Sequence, residues 1–368
     1  MACQAPKNLQ KRFGSPLRLW AKVKAQRMSE RSNFQFVKNA LIILQTNLPY
    51  LCPMPQKGKV LFIDSVHPIL KNGLEKDGWQ CDWCVDDSKD EIISKIGNYD
   101  GVVIRSKFPM NKEMIDLSMN LKFIARSGAG LENIDVKYAE SKGIKIFNSP
   151  EGNRDAVGEQ ALGMLLNLFQ KLNQADAQVR KGIWDREGNR GIELKGKTVG
   201  IIGFGNMGRA FAQRLSGFEC TVVAYDKYVS GFGNEHVKEV SLEELQEQSD
   251  VISFHTPLTD ETHYYFNSNF IESCKKPFYL INTARGKIVE TAALVQGLES
   301  GMVEGACLDV LEYESSSFES TLEGELPVPL EYLLKSNKTL LTPHVASWTT
   351  ESYEKLSFFL LEKIRANF

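Results

Sequence analysis

The sequence predicts an α/β protein with two parallel sheets in tandem. Three observations carry this. Short apolar runs of strand length alternate with helical patterns from about Lys59 to the C-terminus. A long helical pattern, Asp155 to Gly182, divides that alternation into two series. A length of 368 residues suits about two domains of ordinary size. Strands alternating with helices argue for parallel sheets with crossover connections.

In chain order, residues 1–56 stand apart. They hold nine Lys or Arg against one acid, Glu30, with no clean helix or strand period. Three readings stay open: a transit-like peptide, a flexible basic arm, or upstream sequence preceding a true start at Met54. From Lys59, KVLFID reads as a buried strand and PILKNGLEKDG as a helix with a glycine stop. WQCDWCVDD, YDGVVIRS, LKFIARSG and IKIFNSP read as further strands, with NKEMIDLSMN and VKYAESKG as helices between them. After the long helix, the second series runs through KTVGIIGFG, CTVVAYD, DVISFHTPL, PFYLINTARG, VEGACLDVL and KTLLTPHV. A final helix, ESYEKLSFFLLEKIRANF, closes the chain.

The bulk numbers narrow the partners. A net charge of -2 supplies no general field for nucleic acid. No apolar run reaches the roughly 20 residues that span a bilayer, and ALIIL (Ala40 to Leu44) is the best candidate. The thiols Cys3, Cys52, Cys81, Cys84, Cys220, Cys274 and Cys307 are odd in number and scattered. That pattern suggests a reducing compartment, hence the cytoplasm. The pair in CDWC sits in a strand pattern with no second pair or nearby histidines, so the reading is structural thiols and no metal site.

The strongest local motif is Gly203-x-Gly205-x-x-Gly208, between an apolar strand and a helix. The first glycine permits a tight turn, the second lets backbone approach a pyrophosphate, and the third lets helix and strand pack closely. Amides at the helix start then face the phosphates. Asp226 ends the next strand, 23 residues after Gly203, where a carboxylate meets ribose hydroxyls. Such a carboxylate repels a 2′-phosphate, so NAD is expected over NADP, although Lys227 follows directly.

Ligands of an open parallel sheet sit at the carboxyl ends of its strands. Arg285, Glu314 and His344 each follow a strand of the second series. Oxidation of a 2-hydroxy acid by a nicotinamide needs a cation for the carboxylate, a base for the hydroxyl proton and a partner for that base. Arginine, histidine and a carboxylate suit those tasks in turn.

GIIGFGNMGRAF, HTPLTDETHYYFN, INTARGKIVE, CLDVLEYE and LLTPHVAS resemble, in order, the signatures of the D-isomer-specific 2-hydroxyacid dehydrogenases. The resemblance runs from about Lys59 to the end, and looks closest to the phosphoglycerate dehydrogenase and hydroxypyruvate or glyoxylate reductase branches. It implies two Rossmann-like domains. A discontinuous, flavodoxin-like substrate domain (57–152 and 346–368) would carry an inserted NAD-binding domain (153–345). It also implies a homodimer or homotetramer through the cofactor domain, a small 2-hydroxy or 2-keto acid substrate, and an active site in the cleft.

By motif, Arg285 is similar to the family's substrate-binding arginine, Glu314 to its catalytic glutamate and His344 to its acid–base histidine. Asn206 and Met207 match residues whose backbone meets the pyrophosphate. Thr283 and Asp309 are expected on the nicotinamide side and His255 on the cofactor side, with Thr256, Pro257, Ala284 and Ala346 also expected to bind cofactor. Arg105 and the turn Ser127, Gly128, Ala129 and Gly130 resemble the loops that hold the acid. His67 and His236 read as loop histidines.

The chain also departs from the family's pattern. PHVASWT places Ala346 and the bulky Trp348 at the mouth of the site, and Asp155 stands in NRDAVGEQ where Ser or Thr is common. No C-terminal regulatory domain is expected, so serine feedback through one is not expected either. Glu314 argues against a formate dehydrogenase, which usually carries Gln. A phosphite dehydrogenase and an NAD-sensing corepressor-like scaffold both keep the same three residues, so they remain alternatives to a phosphoglycerate dehydrogenase-like or hydroxypyruvate/glyoxylate reductase activity.

Overall fold

The structure, a computed structural model, describes residues 56–314 and 325–368. Lys57–Phe368 forms one compact unit. The readings made for the basic extension, Cys3, Cys52 and the Met54 start fall outside the described residues.

The first sheet contains β1 (Gly58–Phe62), β2 (Trp79–Trp83), β3 (Gly101–Ile104), β4 (Phe123–Arg126) and β5 (Lys145–Phe147). All its pairings are parallel, in the order β2-β1-β3-β4-β5, which is the flavodoxin-like order. Successive side chains point to opposite faces of a strand, and β1 divides accordingly. Val60 and Phe62 pack with Phe123, Leu360, Leu361 and Ile364. Leu61 and Ile63 pack with Ile92, Ile96 and Val102 on the other face.

The second sheet contains β6 (Thr198–Ile202), β7 (Thr221–Tyr225), β8 (Lys238–Glu239), β9 (Val251–Phe254), β10 (Phe278–Asn282), β11 (Val303–Leu308) and β12 (Thr339–Leu341). Its order is β12-β11-β10-β9-β6-β7-β8, again parallel. The chain therefore reverses direction across the sheet between β6 and β9, the switch point at which such sheets bind ligands. Strand β9 is buried at every residue, as a sheet covered on both faces requires. β8 is only two residues long, too short to leave a periodic signal in the sequence.

The long helix differs from its expectation. It starts earlier, at Pro150, where a proline suits the first turn. It also breaks at Lys171, which adopts the left-handed conformation (φ 52°) between helices Pro150–Gln170 and Leu172–Arg180. Polar side chains compensate for the lost helical bonds. Asn167 Oδ1 accepts from the Asn173 amide at 3.0 Å and its Nδ2 donates to Asn173 Oδ1 at 2.9 Å.

The closing helix, Thr350–Arg365, starts at a capping box made by Thr349 and Ser352. It returns to the first sheet, where Leu360, Leu361 and Ile364 are buried. It also crosses the helix Pro150–Gln170 at close range: a Cβ on Gly152 would lie 2.6 Å from the Leu356 amide nitrogen. Asp155 ties this crossing together. Its carboxylate meets Arg214 NH2 at 2.9 Å and Lys355 Nζ at 3.2 Å, so one acid joins a helix of the second sheet to the closing helix.

A side chain at Gly152 has no room beside that backbone. Gly152→Val should force the two helices apart and cost about 1–3 kcal/mol of stability, read as a lower thermal midpoint. An unchanged midpoint would show that the crossing is not tight.

Candidate active site

The candidate catalytic and ligand-binding residues cluster after the carboxyl ends of strands. Gly203 follows β6, Asp226 follows β7, and His255, Thr256 and Pro257 follow β9. Thr283, Ala284 and Arg285 follow β10, Asp309 and Glu314 follow β11, and His344 follows β12. In the first sheet, Arg105 follows β3 and Ser127 to Gly130 follow β4.

The glycine-rich turn has the form a dinucleotide needs. Gly203 has φ 91°, and a Cβ there would stand 2.8 Å from the His255 carbonyl oxygen. A Cβ on Gly208 would stand 2.1 Å from the Gly203 oxygen, so helix and strand touch there. Gly205, by contrast, faces open space. It caps the helix Asn206–Leu215 with no side-chain bond to the first amides, so Asn206 and Met207 open a helix whose N-terminal amides are available to an anion.

Asp226 accepts from the Phe204 amide at 2.7 Å through Oδ2, and from Tyr228 and Val229 amides at 2.9 and 3.0 Å through Oδ1. These bonds fix the carboxylate beside the turn while leaving lone pairs for hydroxyls. Lys227 turns to Glu261 at 2.7 Å.

Buried polar atoms lacking a partner mark the same cradle: Thr256 Oγ1, Thr283 Oγ1 and His255 Nδ1. Such orphans are costly unless a ligand or water serves them. Together with the glycine turn they fit a nicotinamide dinucleotide. His255 is buried, its Nε2 lies 2.8 Å from Ser253 Oγ, and burial pushes its pKa down to about 3. It is therefore neutral at pH 7 and unsuited to serve as a base.

The Glu314–His344 pair expected from the sequence is formed. His344 Nδ1 lies 2.8 Å from Glu314 Oε2, with both side chains largely buried. His344 itself has φ 53°, a left-handed conformation that costs a non-glycine residue free energy and tends to mark functional sites. Asp309 holds it there. The His344 amide donates to the Asp309 carbonyl at 2.8 Å. The Asp309 carboxylate accepts from Thr342 Oγ1 at 2.6 Å, the Val345 amide at 2.9 Å and the Ala346 amide at 2.8 Å. The sequence expects Asp309 on the nicotinamide side and Ala346 among the cofactor-binding residues. Here the Asp309 carboxylate is committed to the turn, and Ala346 is buried as one of its donors.

The first sheet brings arginines to the cleft. Arg285 Nε donates to Glu132 Oε1 at 2.6 Å, and its NH2 lies 2.1 Å from the position of a Cβ on Gly130. Arg285 and the Ser127 to Gly130 turn thus meet, although they are far apart in sequence. The Arg105 guanidinium lies over the Trp348 ring, 4.6 Å from its centroid. Lys107 Nζ is engaged by the carbonyls of Val85 and Asp87.

Three residues here escaped the sequence reading. Asp64 accepts from the Arg105 amide, Arg126 donates to the Arg105 carbonyl at 3.3 Å, and Glu132 pairs with Arg285. Burial draws the Arg126 pKa down to about 10, so it remains charged at neutral pH. Its one signal was an arginine ending an otherwise apolar strand directly before SGAG.

Comparison with known proteins fits this geometry. The sequence model for the D-isomer specific 2-hydroxyacid dehydrogenase NAD binding domain matches residues 162–346. Over 308 residues the chain is 35% identical to the D-3-phosphoglycerate dehydrogenase of Archaeoglobus fulgidus, covering 83% of this chain and 56% of that protein. It thus spans little more than half of that relative's length. Over 276 residues it is 36% identical to the hydroxypyruvate reductase of Thermotoga maritima, covering 75% of this chain and 87% of that one. The D-lactate dehydrogenase of Aquifex aeolicus, solved with NAD and lactic acid, has a TM-score of 0.71 at 28% identity, covering 84% of this chain and 95% of that one.

Removing the clamp should be costly. Asp309→Ala leaves two backbone amides and a hydroxyl in the interior without an acceptor, a loss of about 3 kcal/mol or more. Asp309→Asn keeps one acceptor oxygen and should lose less. Denaturant unfolding of both variants checks this, and equal stability of Asp309→Ala and wild type would refute the clamp.

Proposed function

The chain belongs to the D-isomer-specific 2-hydroxyacid dehydrogenases, and on that premise we propose that it interconverts a short 2-keto acid and its D-2-hydroxy acid with NAD. The observation that carries this is the Glu314–His344 pair, held by Asp309, on the sheet that also carries the dinucleotide cradle and Arg285. The proposed division is 57–152 with 346–368 for substrate and 153–345 for cofactor.

In the reductive direction, Arg285 and the backbone of the Gly128–Gly130 turn take the substrate's carboxylate. Bound NADH supplies the hydride. His344 delivers a proton to the carbonyl oxygen, and with Nδ1 on Glu314 the proton that moves is the one on Nε2. Glu314 keeps the ring oriented and balances the imidazolium charge. A positioned acid–base group of this kind contributes about 10²–10⁴-fold. Asp226 disfavours a 2′-phosphate, and the Lys227–Glu261 pair leaves the neighbouring lysine engaged, so the cofactor is NAD rather than NADP.

Within this reaction the reading is a phosphoglycerate dehydrogenase-like substrate, with Arg105 receiving the distal phosphate. One observation favours a second reading, hydroxypyruvate or glyoxylate. Lys107 is engaged by carbonyls and the Arg105 guanidinium lies on Trp348, so few cations remain for a phosphate. The scattered free thiols suit the cytoplasm. The protein is proposed to be a homodimer. Its helix Leu172–Arg180 buries no residue, and Val179 on it and Ile183 and Trp184 just after it are exposed, the kind of apolar surface that a second copy covers.

Two outcomes test this. His344→Ala should lower kcat by at least about a hundredfold while NADH still binds with wild-type affinity; normal turnover would sink the assignment. Val179→Asp combined with Trp184→Ser should move the protein from dimer to monomer in sedimentation, and a wild type that sediments as a monomer would overturn the dimer.

A further inference from the structure

Glu132 and Arg285 come from different sheets. Glu132 follows β4 of the first, Arg285 follows β10 of the second, and 153 positions separate them. Their contact, Arg285 Nε to Glu132 Oε1 at 2.6 Å, therefore bridges the two halves of the molecule. The side chains are 22% and 38% exposed, so water screens the pair only in part.

A guanidinium grips a carboxylate best through two parallel N–H bonds. Arg285 has two edges for this, Nε with NH2 and NH1 with NH2. Glu132 holds Nε, and NH1 donates to the Ala284 carbonyl at 2.6 Å. Each edge thus has one nitrogen already engaged. NH2 itself is packed against Gly130, and Glu132 Oε2 stands equally close to that glycine, each 2.1 Å from the position of a Cβ. The lack of a side chain at Gly130 lets guanidinium and carboxylate meet there.

Glu132 is charged in this setting. Burial works to raise its pKa, but the adjacent guanidinium of Arg285, with Arg126 behind it, holds the carboxyl below its ordinary value. A substrate carboxylate would arrive at a place where a protein carboxylate already sits, with the same charge and the same preferred donors.

We infer that Glu132 is a resident carboxylate on Arg285 that the incoming 2-keto acid displaces. It sets the affinity for the substrate's carboxylate, and its release breaks an ion pair between the two sheets' loops. Exchanging one carboxylate for another keeps Arg285 paired, and Arg126 remains as the counter-charge of the displaced Glu132. A ligand without a carboxylate cannot make the exchange. This inference rests on the proposed role of Arg285.

The test uses the full chain saturated with NADH, with oxalate as a carboxylate probe that is not reduced. Oxalate Kd and the KM for hydroxypyruvate are measured for wild type, Glu132→Gln and Glu132→Asp. The shorter Asp cannot reach Nε at bonding distance yet keeps a negative charge beside Arg126, which guards against a folding defect. Both variants should bind oxalate about three- to tenfold more tightly, the scale of a partly exposed ion pair, with KM falling in parallel and NADH affinity unchanged. Weaker oxalate binding with a higher KM would make Glu132 an orienting group for Arg285 and overturn the inference. Unchanged affinities would also overturn it. A wild type that neither turns over hydroxypyruvate nor binds oxalate would bring down the role of Arg285, and the inference with it. A wild type that does both, with variants that bind no more tightly, would bring down the inference alone.

Discussion

A buried carboxylate holds the His344 turn of this molecule in place. Asp309, fully buried at the end of β11, takes two amides and a hydroxyl from the turn that carries His344, while its own carbonyl accepts the His344 amide. Few single residues bond to so much of one short loop. A left-handed backbone at a histidine is unfavourable alone, by about 1–3 kcal/mol, and persists only when its surroundings over-determine it. These four bonds do so. Glu314, five positions beyond Asp309, then meets the imidazole. The same strand end thus supplies both the clamp and the carboxylate that meets His344.

The second constraint is the close approach of backbones between the two sheets. The closing helix returns to the first sheet across Gly152, with Asp155 paired to both Arg214 and Lys355 at the crossing. The cleft side is joined differently, by the half-buried Glu132–Arg285 pair. The crossing is set by backbone in van der Waals contact, which has no alternative partner. The cleft contact is an ion pair that another carboxylate can replace. That asymmetry suits a molecule that keeps its crossing closed and exchanges contacts in its cleft.

Much of this was legible in the sequence, for a physical reason. A polar or glycine residue just after an apolar β run marks the carboxyl end of a parallel strand; Gly203, Asp226 and Asp309 follow their strands directly, and Arg285 and His344 come three positions after theirs. The parallel class was likewise readable from strand–helix alternation. The strand order was not, because alternation does not specify which strands neighbour each other. The break at Lys171 was hidden because it depends on one residue's backbone and on Asn167 reaching Asn173. Glu132 and Arg126 were missed because their meaning lies in neighbours that only the fold brings near. Asp309 was singled out as a cofactor-side residue; its further commitment to the His344 turn follows from hydrogen bonds across 33 to 37 positions of chain.

We propose that this cleft reduces short 2-keto acids with NADH through the Glu314–His344 pair. The most direct measurement follows NADH absorbance with the purified chain and 3-phosphohydroxypyruvate, hydroxypyruvate, glyoxylate and pyruvate in turn. Steady consumption of NADH with at least one of the four is expected, and much slower consumption of NADPH. Firm binding of NADH with no turnover of any of them would contradict it.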